Sequence, residues 1–287
     1  MTTFANINEL VTAEENGKMR EYTWWKTPSQ TTTARLWFDL ALSPGNPAPK
    51  YYFDAPPLIA KAIAQSTDGG IYHGANVSPS TKYLRKILAF TATATALPMK
   101  MELLDYLLYY PSIDDSTTDP QVLDNTVTLP RYTDGKGVQV IAVSVAGRTG
   151  GQSFFFTYTN SDGVAGRTSQ TITQNSSTAI GVILNNTINN NISAVAFCGL
   201  QSGDTGIRSI ESVTMLGADV GLFSLVLVKP IASTLIRGID APVEIDYYIH
   251  KNELPIIQDD AFLNFICLPN GTLAATALIG DLKCVWS

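Results

Sequence analysis

From Tyr83 to Trp286 the chain is a succession of short runs rich in β-branched and aromatic residues, each broken by Gly, Pro, Asn or Asp. Runs of that length suit strands and are too short for most helices. They fall at residues 87–95, 100–110, 138–146, 153–159, 168–173, 179–184, 194–200, 207–216, 222–228, 243–250, 261–268 and 278–286. Turn signals at this spacing predict a mostly β chain with a jelly-roll or Ig-like β-sandwich architecture, in one or two sandwich units. The glycine-rich stretch 147–152 reads as the turn of a hairpin between 138–146 and 153–159, and 160–163 as a second turn.

The first 82 residues follow another pattern. Residues 6–26 mix helix formers with Ile7, Leu10, Val11, Met19, Tyr22, Trp24 and Trp25, which predicts a short helix interrupted near Asn16 and Gly17. Trp24 and Trp25 are adjacent and cannot share one face of a strand, so one of them is expected to bury outside its local sheet. Pro44, Pro47, Pro49, Pro56 and Pro57 make residues 43–57 an extended arm. Asp54 is then placed to cap a helix over 55–65, with Leu58, Ile59, Ala62 and Ile63 as its apolar stripe.

Proline has already removed much of the freedom that docking the arm would remove. Tyr51, Tyr52 and Phe53, together with Trp24 and Trp25, are therefore candidate inter-subunit contacts. The competing account is that these aromatics cover the chain's own β core. A closed homo-oligomer is expected, a trimer before a pentamer, although nothing local counts subunits. The organisation expected is an arm, loop and short helix over 1–82, the first part of a sandwich over 83–136, a second sandwich or inserted β unit over 137–230, and completing strands over 231–287. One internal likeness bears on this. Leu97-Pro98, Glu102, Asp105-Tyr106 and Asp114-Asp115 recur in order as Ala241-Pro242, Glu244, Asp246-Tyr247 and Asp259-Asp260. Duplication and common turn chemistry both account for it.

Composition decides what the chain is unlike. Charged residues make up only 15% against 45% hydrophobic, so a sizeable core can form and much of the surface is left to hydroxyl and amide side chains. A net charge of −6 argues against a nucleic-acid partner, and Lys82, Arg85 and Lys86 read as a solvated face. No apolar stretch is long enough for a membrane helix. Met1-Thr2-Thr3-Phe4 does not begin a secretory signal, and synthesis in a cytoplasm is expected. Cys198, Cys267 and Cys284 lie in apolar contexts and read as buried free thiols.

No constellation of residues assembles a catalytic, cofactor or metal site. His73 and His250 lack ligand-spaced partners, residues 147–151 lack a phosphate-loop lysine, and a G-x-S-x-G elbow is absent. Asp114-Asp115 and Asp259-Asp260 read as turn residues, with a cation held by their oxygens as the alternative. The Asn-x-Ser/Thr patterns at Asn76, Asn175, Asn191 and Asn270 need a secretory route to matter.

Residues 36–47, 106–114 and 208–215 resemble structural proteins of tailed bacteriophages, and the likeness runs over most of the chain. The resemblance implies a virion component, made in the host cytoplasm, with the major capsid protein or other virion proteins as partners. A capsid cement or decoration protein is the expectation. A receptor- or glycan-binding module of a tail, fibre or vertex is the alternative. No catalytic residue comes with the family.

Overall fold

Two strands run much farther than the turn spacing implies, and they organise the molecule. In a computed structural model describing residues 4–185, 195–239 and 241–287, the main strands are β1 (Met19–Lys26), β2 (Phe38–Asp39), β3 (Lys82–Phe90), β4 (Met99–Asp114), β5 (Gln139–Ser144), β6 (Ser153–Asn160), β7 (Ile207–Met215), β8 (Leu222–Ile236), β9 (Val243–Asp246), β10 (Phe262–Pro269) and β11 (Leu278–Trp286). β4 has 16 residues and β8 has 15, and they pair antiparallel from Met99 with Ile236 to Asp114 with Leu222.

Eight strands form two facing antiparallel sheets, in the orders β1-β11-β3-β9 and β2-β10-β4-β8. With residues 115–221 set aside, that order along the chain is first-eighth-third-sixth against second-seventh-fourth-fifth. Every connection except the one from β4 to β8 crosses between the sheets. The residues set aside form an insert between β4 and β8. It adds β5 to the free edge of β8 and builds a third sheet from Arg167–Thr168, β6, β7 and Gln121–Val122.

Alternation along the long strands explains how one sheet serves two sandwiches. Met99, Met101 and Leu103 of β4 pack against Leu84, Ile87 and Leu282 of the first sheet. Farther along the same face, Leu107, Tyr110 and Ile113 pack with Phe223 and Leu225 against Phe154, Phe156 and Ile210 of the insert. Register shifts near Leu227/Val228 and Phe223/Leu225 put extra residues into β4, which keeps Tyr110 and Ile113 on the core face despite the change of parity. The opposite face, with Leu104, Tyr106, Tyr109, Val226 and Val228, is covered by Trp37, Ala41, Leu42, Tyr52 and Ile63.

At the seam between the two cores sits a buried ion pair. Asp105 lies between Leu103 and Leu107, and Arg131 from the insert grips it through Nε to Oδ2 at 2.9 Å and Nη2 to Oδ1 at 2.7 Å. The same Nη2 donates to Ile63 O at 3.1 Å and Tyr106 O at 3.0 Å. Those carbonyls lie where the neighbour of β4 changes from β10 to the short strand Lys61–Ala62.

Several expectations are corrected. The helix expected over 55–65 does not form, and only α2 (Gln65–Asp68) is helical there. The N–H groups of Leu58, Ala60 and Ile63 donate instead to Pro111, Asp124 and Leu107, so the segment is tied to neighbouring strands. The first helix, here α1 (Ile7–Glu15), is capped by Asn6, with Glu9 reaching back to the Ala5 N–H, and it stops before Gly17. Residues 19–26 are strand β1 inside the first sheet, so 1–82 is not only an arm. β5 and β6 do not form a hairpin, because 147–152 carries the chain from the central sheet to the third. Residues 195–200 are irregular, while Ala194 and Asn191 lie outside the described residues. The internal likeness breaks at one of its acidic marks: Asp105 sits mid-strand, whereas Asp246 caps α3 (Tyr247–Lys251) by accepting from the Ile249 N–H.

Candidate assembly surface

A two-residue alternation divides the five aromatic candidates. On β1, Trp24 is wholly buried, its ring 4.7 Å from that of Phe265 and lying over Gly280, where an added Cβ would come within 2.8 Å of the indole. Trp25 points the other way and is 46% exposed. On the arm, Tyr52 is wholly buried, while Tyr51 and Phe53 are 46% and 51% exposed. Trp24 and Tyr52 are therefore core residues and are corrected as subunit contacts. Trp25, Tyr51 and Phe53 are the ones left at the surface.

The surface residues are not isolated. Trp25 lies in register between Asn46 and Ile279, and Ile279 lies in register with Phe90, so an apolar row crosses the outer face of the first sheet. Tyr51 and Phe53 pack on each other, ring centroids 5.3 Å apart. Asn46 and Tyr51 are five residues apart, which holds their Cα atoms within about 18 Å. An aromatic side chain offers roughly 150–250 Å² when fully buried. Three half-covered rings would each add about 2 kcal/mol on complete burial.

Charges under the arm hold it in place. Asp39 is fully buried and accepts from the Tyr52 and Tyr106 hydroxyls at 2.7 Å and from Ala41 N at 2.8 Å. Burial pushes its carboxyl upward, and the two hydroxyls oppose that shift. Lys26, also fully buried, donates to Ser43 O and Pro47 O at 3.0 and 2.8 Å. Burial lowers its ammonium to about 8. Farther on, Lys50 bridges Asp54 and Asp68 at 2.7 and 2.9 Å, while Asp54 also takes Lys61 and the Tyr109 hydroxyl. Asp54 is thus an ion-pair hub and not a helix cap. Each of these anchors is an ordinary charged residue in sequence. Nothing in the run of three aromatics Tyr51-Tyr52-Phe53 tells its inward ring from its outward ones; the turn that the chain makes at Tyr52 and Phe53 decides it.

Other singled-out groups are occupied locally. Lys82, Arg85 and Lys86 are not a solvated face: Lys82 and Arg85 are buried, and the three pair with Asp259, Asp246 and Glu244 at 3.8, 2.9 and 2.8 Å. Asp114 accepts from Ser116 N, whereas Asp115 accepts from Gln174 in the interior. Asp259 accepts from Val77 N, and Asp260 from Ser66 N and Oγ. Adjacent carboxylates thus serve separate partners. His250 Nδ1 accepts from Asp246 N. The three cysteines are buried free thiols, and burial raises Cys198 and Cys284 to about 12. Among the described residues no helix is long and apolar enough to cross a membrane.

No family model and no curated protein matches the chain. Among solved structures, it aligns with a subviral particle of VP2 from infectious bursal disease virus, over 94% of this chain and 80% of that one, at 9% identity and a TM-score of 0.17. At that score the likeness carries no argument about fold or function.

Proposed function

We propose that this chain is a virion structural protein that works by assembly, docking onto copies of itself and onto the shell of a phage capsid as a cement or decoration protein. The carrying observation is the strand order β1-β11-β3-β9 facing β2-β10-β4-β8. We read it as a jelly roll, an architecture used by capsid and lectin domains. Fold alone does not assign function. The surface supplies the rest of the argument: Trp25 in its row with Ile279 and Phe90, and the Tyr51–Phe53 pair on an arm pinned by buried charges. Rigid aromatics lose little freedom on docking, so they make effective contacts between subunits.

A cyclic oligomer, a trimer before a pentamer, repeats such a contact at each subunit boundary. Sedimentation of the purified chain tests self-association, and copy number in purified particles tests placement. A high copy number distributed over the shell supports the cement role. A chain that stays monomeric and is absent from particles overturns the proposal.

A further inference from the structure

A cleft opens at the far end of the first sheet, beyond the point where the sandwich core ends. It has a volume of about 390 Å³, within the usual range of small-ligand sites. Arg20 and Tyr22 of β1 and Trp286 of β11 form one wall, and Tyr72, Asn76 and Ser80 the other. Tyr22 and Tyr72 meet edge to face at 5.2 Å, and the Arg20 guanidinium lies 6.0 Å from the centre of the Trp286 ring.

The floor of the cleft is cross-linked by hydrogen bonds and its charges are already used. Lys82 Nζ donates to Ala75 O at 2.9 Å and to His73 Nδ1 at 3.2 Å, and lies 3.8 Å from Asp259. His73 Nε2 therefore carries the proton and donates to Ala261 O at 2.9 Å. Gln65 binds the His73 N–H and the Gly74 carbonyl, and Asp259 binds the Val77 N–H. Gly74 has φ +93°, and a Cβ there would lie 2.4 Å from the Tyr22 hydroxyl oxygen, so glycine lets the loop backbone close against the ring.

Aromatic faces, phenol and hydroxyl tips, a side-chain amide and no spare buried cation define a ligand with an apolar face and many hydroxyls. We infer that this cleft binds a saccharide, one pyranose ring stacking on Trp286 or Tyr72 while its hydroxyls meet Tyr22, Asn76, Ser80 and Arg20. This inference does not rest on the assembly surface, which uses other residues of the same sheet.

The test is saturation-transfer NMR on the full chain with methyl glycosides of glucose, galactose, mannose and N-acetylglucosamine, each alone, and with AMP as the competing aromatic ligand. At least one glycoside is expected to show transfer and a dissociation constant of roughly 1–10 mM, in keeping with so small a ligand. Tyr72→Ala and Trp286→Ala should each weaken it by about tenfold or more. Tyr72 is 57% exposed, so its loss leaves the fold intact, and Trp25→Ser should leave sugar binding unchanged. Absence of transfer from every glycoside, binding unchanged in both variants, or preference for AMP overturns the inference. Sedimentation of the same samples reports assembly separately.

Discussion

Replacing Arg131 with Met should be among the most damaging single changes away from the aromatic core. The guanidinium makes two contacts to Asp105, at 2.7 and 2.9 Å, and caps the carbonyls of Ile63 and Tyr106. Asp105 is wholly buried and Arg131 nearly so. Removing one partner of such a pair strands the other charge in the interior, at about 3–5 kcal/mol. Each uncapped carbonyl adds roughly 1 kcal/mol or more, though not additively. Against a typical stability of about 5–15 kcal/mol, the variant should lose a third or more of its margin. Urea unfolding followed by tryptophan fluorescence at pH 7 measures it. The decisive comparison is the double variant Arg131→Met with Asp105→Asn, which removes the stranded charge and should be less damaged than the sum of the two single changes. A loss below about 1 kcal/mol for Arg131→Met, or strict additivity in the cycle, would refute the reasoning.

Other outcomes are equally specific. Trp25→Ser, Tyr51→Ser and Phe53→Ser combined should shift sedimentation toward monomer with Tm retained, whereas Tyr52→Ser should lower stability by about 3–5 kcal/mol; the reverse pattern rules out the division between arm and core. Burial, reinforced by Lys82, lowers the His73 imidazole from 6.5 to about 4, so as pH falls through that window the unfolded chain takes up the proton first and stability drops, by up to roughly 3 kcal/mol. Urea midpoints at several pH values should fall less steeply in His73→Gln, and identical slopes would count against the buried neutral imidazole. Gly280→Ala places a Cβ 2.1 Å from Leu88 O and 2.8 Å from the Trp24 ring. A lower Tm and altered Trp24 emission are expected, and an unchanged melt would contradict that packing.

The β class and most strand positions were legible because alternation and turn residues act locally. The length of the two central strands was not, and the reason is proline. Runs expected to end at Tyr110, next to Pro111, and at Val228, two residues before Pro230, continue through both prolines. Pro111 sits at a register shift, and Pro230 lies past the end of the pairing with β5 and at a register shift against β4, places where a strand tolerates a missing N–H. The anchors under the arm were hidden for another reason. Asp39 and Lys26 look like surface residues, and their burial follows from contacts with segments distant in sequence, which no short window reports. Of the candidate surface, the aromatic cluster over 51–53 was legible but its split into one buried and two exposed rings was not, and the row joining Trp25, Ile279 and Phe90 required the strand order.

The insert between β4 and β8 also sets a timetable for the nascent chain. β4 emerges long before its main partners, since β8 follows residues 115–221 and β10 comes later still. At about 5–20 residues per second, the central strand waits on the order of 5–20 s with most of both edges unpaired. A strand of 16 largely apolar residues is prone to pair with the wrong chain during such an interval. Collapse of the insert brings the ends of β4 and β8 together and shortens the loop their pairing must close. Expression yield should therefore respond more to the speed with which residues 115–221 fold than to the final stability of the outer sheet.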